Sequence, residues 1–129
     1  MVSIATLKGS AAEKLKAVSA SLMNSWDEMQ DVFALFMEFW AASASPQTQP
    51  RFKQVFKQGY GEFRTIVAAL IREGIERGEF RANMQIAPVA AALVGTWDAQ
   101  LQQAWFDPDF DHKSAAAEFM DVLIKGMQQ

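Results

Sequence analysis

The chain has 129 residues, no cysteine and a single histidine, and its 12 Lys and Arg against 15 Asp and Glu leave a net charge of −3. At that length one compact domain buries roughly two-thirds of its unfolded surface, and with half its residues apolar the composition excludes disorder. The missing cysteines exclude a disulfide framework, thiol chemistry, iron–sulfur ligation and cysteine-based zinc sites, and the acidic balance lacks the footprint of a domain that neutralises many phosphates.

Read in order, every segment with a clear period has the helical one. Ser10-Ala11-Ala12-Glu13 has the form of a capping box, in which the Ser and Glu side chains satisfy each other's free backbone N–H groups. Leu15, Val18, Ser19, Leu22 and Trp26 follow at spacings of three and four and predict a first helix over 11–26. A second helix, 27–43, carries Met29, Val32, Phe33, Phe36, Met37 and Trp40 on one stripe, with Asp27, Asp31 and Glu38 on the opposite, solvated side. Ser45-Pro46 to Gln49-Pro50 is the main break, because the residue before a proline avoids helical geometry. The longest helix then runs over 51–77, its apolar face continuous from Phe52 to Ile75 and flanked by Lys53, Lys57 and Arg64. Gly78 is the stop, where a left-handed residue ends a helix cheaply.

The fourth helix, 85–106, tolerates Pro88 in its first turn. Its large face is Ile86, Val89, Leu93, Val94, Trp97, Leu101 and Trp105, and its reverse face, Ala91, Ala92, Gly95 and Ala99, is small rather than charged. A helix apolar nearly all round requires cover on two sides, and a second subunit supplies it most simply. Asp111 is a good N-cap for a last helix over 112–128 with the stripe Ala115, Ala116, Phe119, Val122, Leu123, Gly126 and Met127. No segment alternates with period two and no linker divides the chain, so the expectation is an all-α, five-helix domain spanning residues 1–129. The uncharged run from Ala82 to Trp97 is too short and interrupted for a membrane span. The stretch Met1 to Lys8 has no signal-peptide form. A soluble, reduced, cytoplasmic protein is expected.

Chemistry is mostly absent. The lone His112 has no Glu three residues before it, so a ferritin-like dimetal site fails, and no phosphate-binding glycine loop or nucleophile elbow occurs. Nothing points to an enzyme, a metal or a cofactor. The unusual feature is 10 Phe, 4 Trp and 7 Met, a load that suits a cavity between helices for a largely apolar, aromatic or lipid-like molecule. Trp26, Phe33, Met37, Phe56, Tyr60, Phe63 and Trp97 are the expected ligand residues, with the Tyr60 hydroxyl and Trp97 indole N–H as orienting donors. No charged residue is assigned to the pocket. Ala91, Gly95 and Ala99 with Ala115, Phe119 and Gly126 form the expected interface of a homodimer.

From the third helix onward the chain resembles the C-terminal, effector-binding and dimerisation domain of TetR-family transcriptional regulators. The resemblance rests on Ile71-Arg72-Glu73-Gly74-Ile75-Glu76-Arg77-Gly78-Glu79-Phe80-Arg81, on Ala90-Ala91-Ala92-Leu93-Val94-Gly95, and on Asp98, Gln103 and Asp107-Pro108. The ending Leu123-Ile124-Lys125-Gly126-Met127 completes it. It covers residues 11–128, more loosely before Pro50, and departs at Ala99, where many relatives carry Gly. It implies a ligand-responsive repressor domain whose fourth and fifth helices pair with their two-fold copies and whose first four helices enclose the effector. Operator DNA would be met only through a helix-turn-helix head, which nothing in this sequence matches. The alternative is a free-standing helical small-molecule-binding or scaffold protein.

Overall fold

The computed structural model describes residues 6–129, and the expectation for the leading residues 1–5 lies outside them. The element order is α1 (Ala11–Asn24), α2 (Trp26–Ala42), α3 (Gln49–Glu76), α4 (Ile86–Phe106) and α5 (His112–Gln128), with no strand among the described residues. The all-α, five-helix expectation holds, and no helix is long and apolar enough to cross a membrane.

The helix ends follow local chemistry. The capping box at Ser10 forms: Glu13 N–H donates to Ser10 Oγ at 3.1 Å and Ser10 N–H to Glu13 Oε1 at 3.3 Å. The two N–H groups between them, on Ala11 and Ala12, donate to the Glu79 carboxylate at 2.9 and 3.2 Å. Desolvation works against the Glu79 charge, but those two backbone donors and Arg77 outweigh it and hold the carboxyl below the usual glutamate value. At the far end of α3 the cap closes as a Schellman motif. Gly78 adopts φ +78, its N–H reaches Ile75 O at 3.1 Å, and Glu79 N–H reaches Gly74 O at 2.8 Å.

Two boundaries move. α1 stops at Asn24, two residues earlier than its stripe suggests, because Ser25 turns its hydroxyl back to Ser21 O at 2.7 Å while its own carbonyl starts α2. Trp26 therefore opens α2 instead of closing α1. α3 begins at Gln49, and Pro50 sits within its first turn. Thr48 donates its hydroxyl to Ala42 O at 2.6 Å, tying the start of α3 to the end of α2.

The core lies among α1, α3, α4 and α5, where Leu15, Met23, Val67, Ile71, Leu93, Trp97 and Met120 are fully buried. α3 packs chiefly on α4 and α1 chiefly on α5, while α2 rests more sparsely on α3 and α1. The continuous apolar face expected of α3 is therefore buried only from Val67 onward; Val55, nearer its start, is 58% exposed. Val32 of α2 is 62% exposed for the same reason. The two helices diverge from the core together, and the space between them stays open. The core line of α5 is also rotated from its expected stripe: Ala116, Met120, Ile124 and Met127 face inward, and Val122 is 60% exposed.

Gly74 shows how closely the turn packs. A Cβ there would lie 2.1 and 2.2 Å from ring carbons of Phe80, which is itself buried against the core and has nowhere to go. Gly74→Ala is expected to lower stability by about 1–3 kcal/mol. Gly61→Ala, whose Cβ would meet only the Arg64 guanidinium at 4.0 Å, is expected to raise it by about 0.5–1 kcal/mol. Paired denaturation curves check the contrast.

Candidate functional site

The cavity between α2 and α3 has a volume of about 540 Å³ and is walled almost entirely by apolar carbon. α2 supplies Met29, Val32, Leu35, Phe36 and Phe39, and α3 supplies Val55, Phe56, Gly59, Tyr60 and Phe63. Leu22 of α1 and Val94 and Asp98 of α4 close the deep end. The aromatic side chains lock one another across the gap. Phe36 meets Phe56 edge to face at 5.1 Å, and Phe39 stacks on Phe52 at 5.2 Å. Offset-stacked and edge-to-face contacts of this kind are the arrangements that aromatic pairs prefer.

One polar pair interrupts this surface. Tyr60 donates its phenol proton to Asp98 Oδ2 at 2.5 Å, a short charge-assisted bond between α3 and α4. Burial, the hydrogen bond to Asp98 and the charge of that carboxylate push the phenol pKa well above the tyrosine range, so the donor keeps its proton. Burial also raises the Asp98 carboxyl above its ordinary value, and the bond from Tyr60 opposes part of that rise. Among the described residues no cation forms an ion pair with Asp98.

The seven expected ligand residues separate into two groups. Phe56, Tyr60 and Phe63 line the cavity. Trp26 and Phe33 do not line it: they are buried behind the wall, 5.1 Å apart and in ring contact with Trp105, and Phe33 stacks at 6.0 Å on Phe36, which does line it. Trp97 lies beneath Phe63, fully buried, and its indole N–H donates to Ser19 Oγ at 3.0 Å. That donor is committed to the core. Met37 packs half-buried against the core and is not part of the cavity wall. His112, at the start of α5, is half-buried, with Nε2 3.2 Å from Met23 O and its ring against Trp26.

Asp98 was not assigned to the pocket by sequence, yet a signal is present. It is the sole charge between Arg81 and Asp107, one helical turn from Val94 on the cavity side of an otherwise apolar helix. Leu35 and Phe39 lie off the apolar stripe expected of α2, whose Phe33 and Met37 were the residues assigned to the ligand.

The reverse face of α4 is uncovered. Ala91, Gly95 and Ala99 are exposed, and a Cβ on Gly95 would meet nothing within 4 Å. On α5, Gly126 is likewise open and Ala115 and Phe119 are half-buried, while Phe106 at the end of α4 is 76% exposed. No group of three or more His, Asp or Glu with metal-binding geometry occurs among the described residues.

Residues 11–127 match the family described as "BetI-type transcriptional repressor, C-terminal". The chain belongs to that family, a C-terminal domain of TetR-type regulators. No curated protein and no solved structure matches the chain. In this regulator domain the elements match the order expected from the resemblance, with the cavity bounded by α1 to α4.

The Asp98 carboxyl generates a test of sign. A carboxyl whose folded pKa is raised destabilises the fold while ionised, and the penalty disappears once pH falls below the ordinary value of 3.8. Asp98→Asn keeps an acceptor for Tyr60 and removes the charge. The variant is expected to be more stable than the parent at neutral pH by roughly 0.5–1 kcal/mol, with the two converging in acid. Urea denaturation across the pH range reads this directly, and a less stable variant at neutral pH would refute it.

Proposed function

We propose that this chain is the effector-sensing and dimerisation part of a ligand-responsive TetR-type repressor, and that its cavity takes up a largely apolar small molecule. The observation that carries the reading is the aromatic cavity of about 540 Å³ between α2 and α3. Its size and lining suit a drug-sized guest held by apolar contact with few polar groups. The sparse packing of α2 supports it too, since none of its residues beyond Phe33 is buried and its outer turns can move to admit a guest at low cost. Operator DNA is contacted through a separate head, and the protein acts in the cytoplasm. Hydrophobic aromatic compounds are expected to raise the melting temperature of the domain in a concentration-dependent way. A panel of such compounds that leaves the melting temperature unmoved would sink the reading.

Dimerisation forms the second half of the proposal. The i, i+4, i+8 run Ala91, Gly95, Ala99 lets another helix backbone approach closely, and the exposed Phe106 and Val122 add apolar area beside it. An obligate interface built from α4, α5 and their copies would bury over ~2,000 Å² in total. The chain is expected to sediment as a dimer at micromolar concentration, and Gly95→Arg, which crowds and charges the middle of the face, to dissociate it. A mass near 14.4 kDa for the unsubstituted chain would overturn this.

A further inference from the structure

A smaller cavity of about 210 Å³ lies in the seam between α1 and α5, apart from the one between α2 and α3. We infer that it binds a small aromatic carboxylate, whose ring sits on the floor of the seam and whose anionic end meets a lysine at the rim. The inference does not depend on the use made of the larger cavity.

The floor comes from Ser19 and Met23 of α1 and from Ala116 and Met120 of α5, all of them buried. α5 is the chief packing partner of α1, yet the seam is not filled, because Ala20, Ala116 and Ala117 stand where longer side chains would close it. Side chains around an unfilled space forgo their dispersion contacts, which a guest restores. The two buried thioethers favour an aromatic guest, since methionine sulfur packs well against rings. Size narrows the class further. A dry apolar cavity of roughly 150 Å³ admits benzene, so about 210 Å³ takes one ring with a short polar end.

Charge sets the sign of that end. Lys16, Asn24, Lys113 and Asp121 stand at the rim and are exposed. Lys16 and Asp121 neutralise each other across the seam at 3.0 Å. Lys113 has no ion pair among the described residues and is left as the unbalanced charge. An ammonium guest would meet Lys113 with the same sign and would find Asp121 already paired. A neutral guest gains the ring contacts alone. A carboxylate gains those and a charge-assisted hydrogen bond from Lys113, with the Asn24 amide as a further donor at the rim. On the floor, Ser19 Oγ accepts the Trp97 indole N–H at 3.0 Å. A guest lying against Ser19 is therefore felt at Trp97.

Phenylacetate, phenylacetamide and phenethylamine share a ring and differ in charge. Each is titrated into the intact, isotopically labelled chain, and the shifts are followed by nuclear magnetic resonance. The compounds are expected to move the Ser19, Ala20 and Ala116 amide signals and the Trp97 indole N–H. Phenylacetate is expected to bind about fivefold more tightly than the amide, and the amine most weakly. Lys113→Gln, at an exposed position, is expected to bring phenylacetate down to the level of the amide while the amide binds as before. Ala117→Leu, which fills the opening from the rim, is expected to weaken all three. Equal binding of phenylacetate and phenylacetamide, or a preference for the amine, would overturn the anionic guest. Undiminished binding of phenylacetate by Lys113→Gln would overturn the role of that lysine. Shifts confined to Gly59, Phe63 and Val94 would put the compounds between α2 and α3 and overturn the site, as would the absence of any shift. The ranking and the shifted signals in the unsubstituted chain decide the matter even where a variant fails to fold.

Discussion

The structure depends on where Trp97 sits. Its indole is fully buried on α4, its ring meets Phe63 of α3 at 5.6 Å, and its N–H is satisfied by Ser19 of α1. One side chain thus joins three helices, and its polar atom is paired, as a buried donor must be. With α1, α3 and α4 fixed around it and α5 laid across α1, most of the core closes among these four helices, and α2 adds Trp26 and Phe33 to it. That is why an opening can exist at all. The same indole forms the support behind Phe63, so the inner part of the cavity wall is stiff while its outer part, on α2 and the first turns of α3, is not.

The carboxylate at the deep end is held against the interest of the fold. Within the fold alone, an ionised Asp98 is a liability, since burial disfavours its charge and no cation among the described residues pairs with it. A chain selected only to fold would place a leucine or an asparagine there. Groups kept at some cost to stability mark the places where a protein is shaped for something outside itself. The Tyr60 bond limits the cost by giving one oxygen a partner. It also links α3 to α4 at a position that borders the small-residue face: at 100° per residue Asp98 lies roughly 60° round the helix from Gly95, so the polar contact and that face are neighbours on one helix.

How much of this could be read from the residues alone follows from what periodicity reports. The helices and their caps were legible because their causes are local: Ser10 with Glu13, Asp111 with Ser114, and Gly78 after Ile75 each act within a few residues. The small reverse face of α4 was legible as well, because size and charge along a helix are read directly. The cavity was only partly so. An apolar stripe has the same pattern whether it faces packed side chains or an opening, so nothing local separates Phe33, which is buried, from Phe39, which lines the gap. Trp26 shows the same limit, since a single serine decides which helix it belongs to and therefore which cluster it enters. Asp98 was hidden by the habit of assigning charge to solvent, although its isolation within α4 argued otherwise.

The carboxylate that caps α1 ties together two ends of helices far apart in the chain. Ala11 and Ala12 have their N–H groups satisfied by Glu79, a residue 68 and 67 positions later. Glu79 reaches them only once the glycine turn at Gly78 has formed and turned the chain back toward α1. Until then the first turn of α1 has two unpaired donors, and helix initiation is its least favourable step. The start of α1 and the end of α3 are therefore coupled across most of the chain, so that loosening either junction uncaps the other.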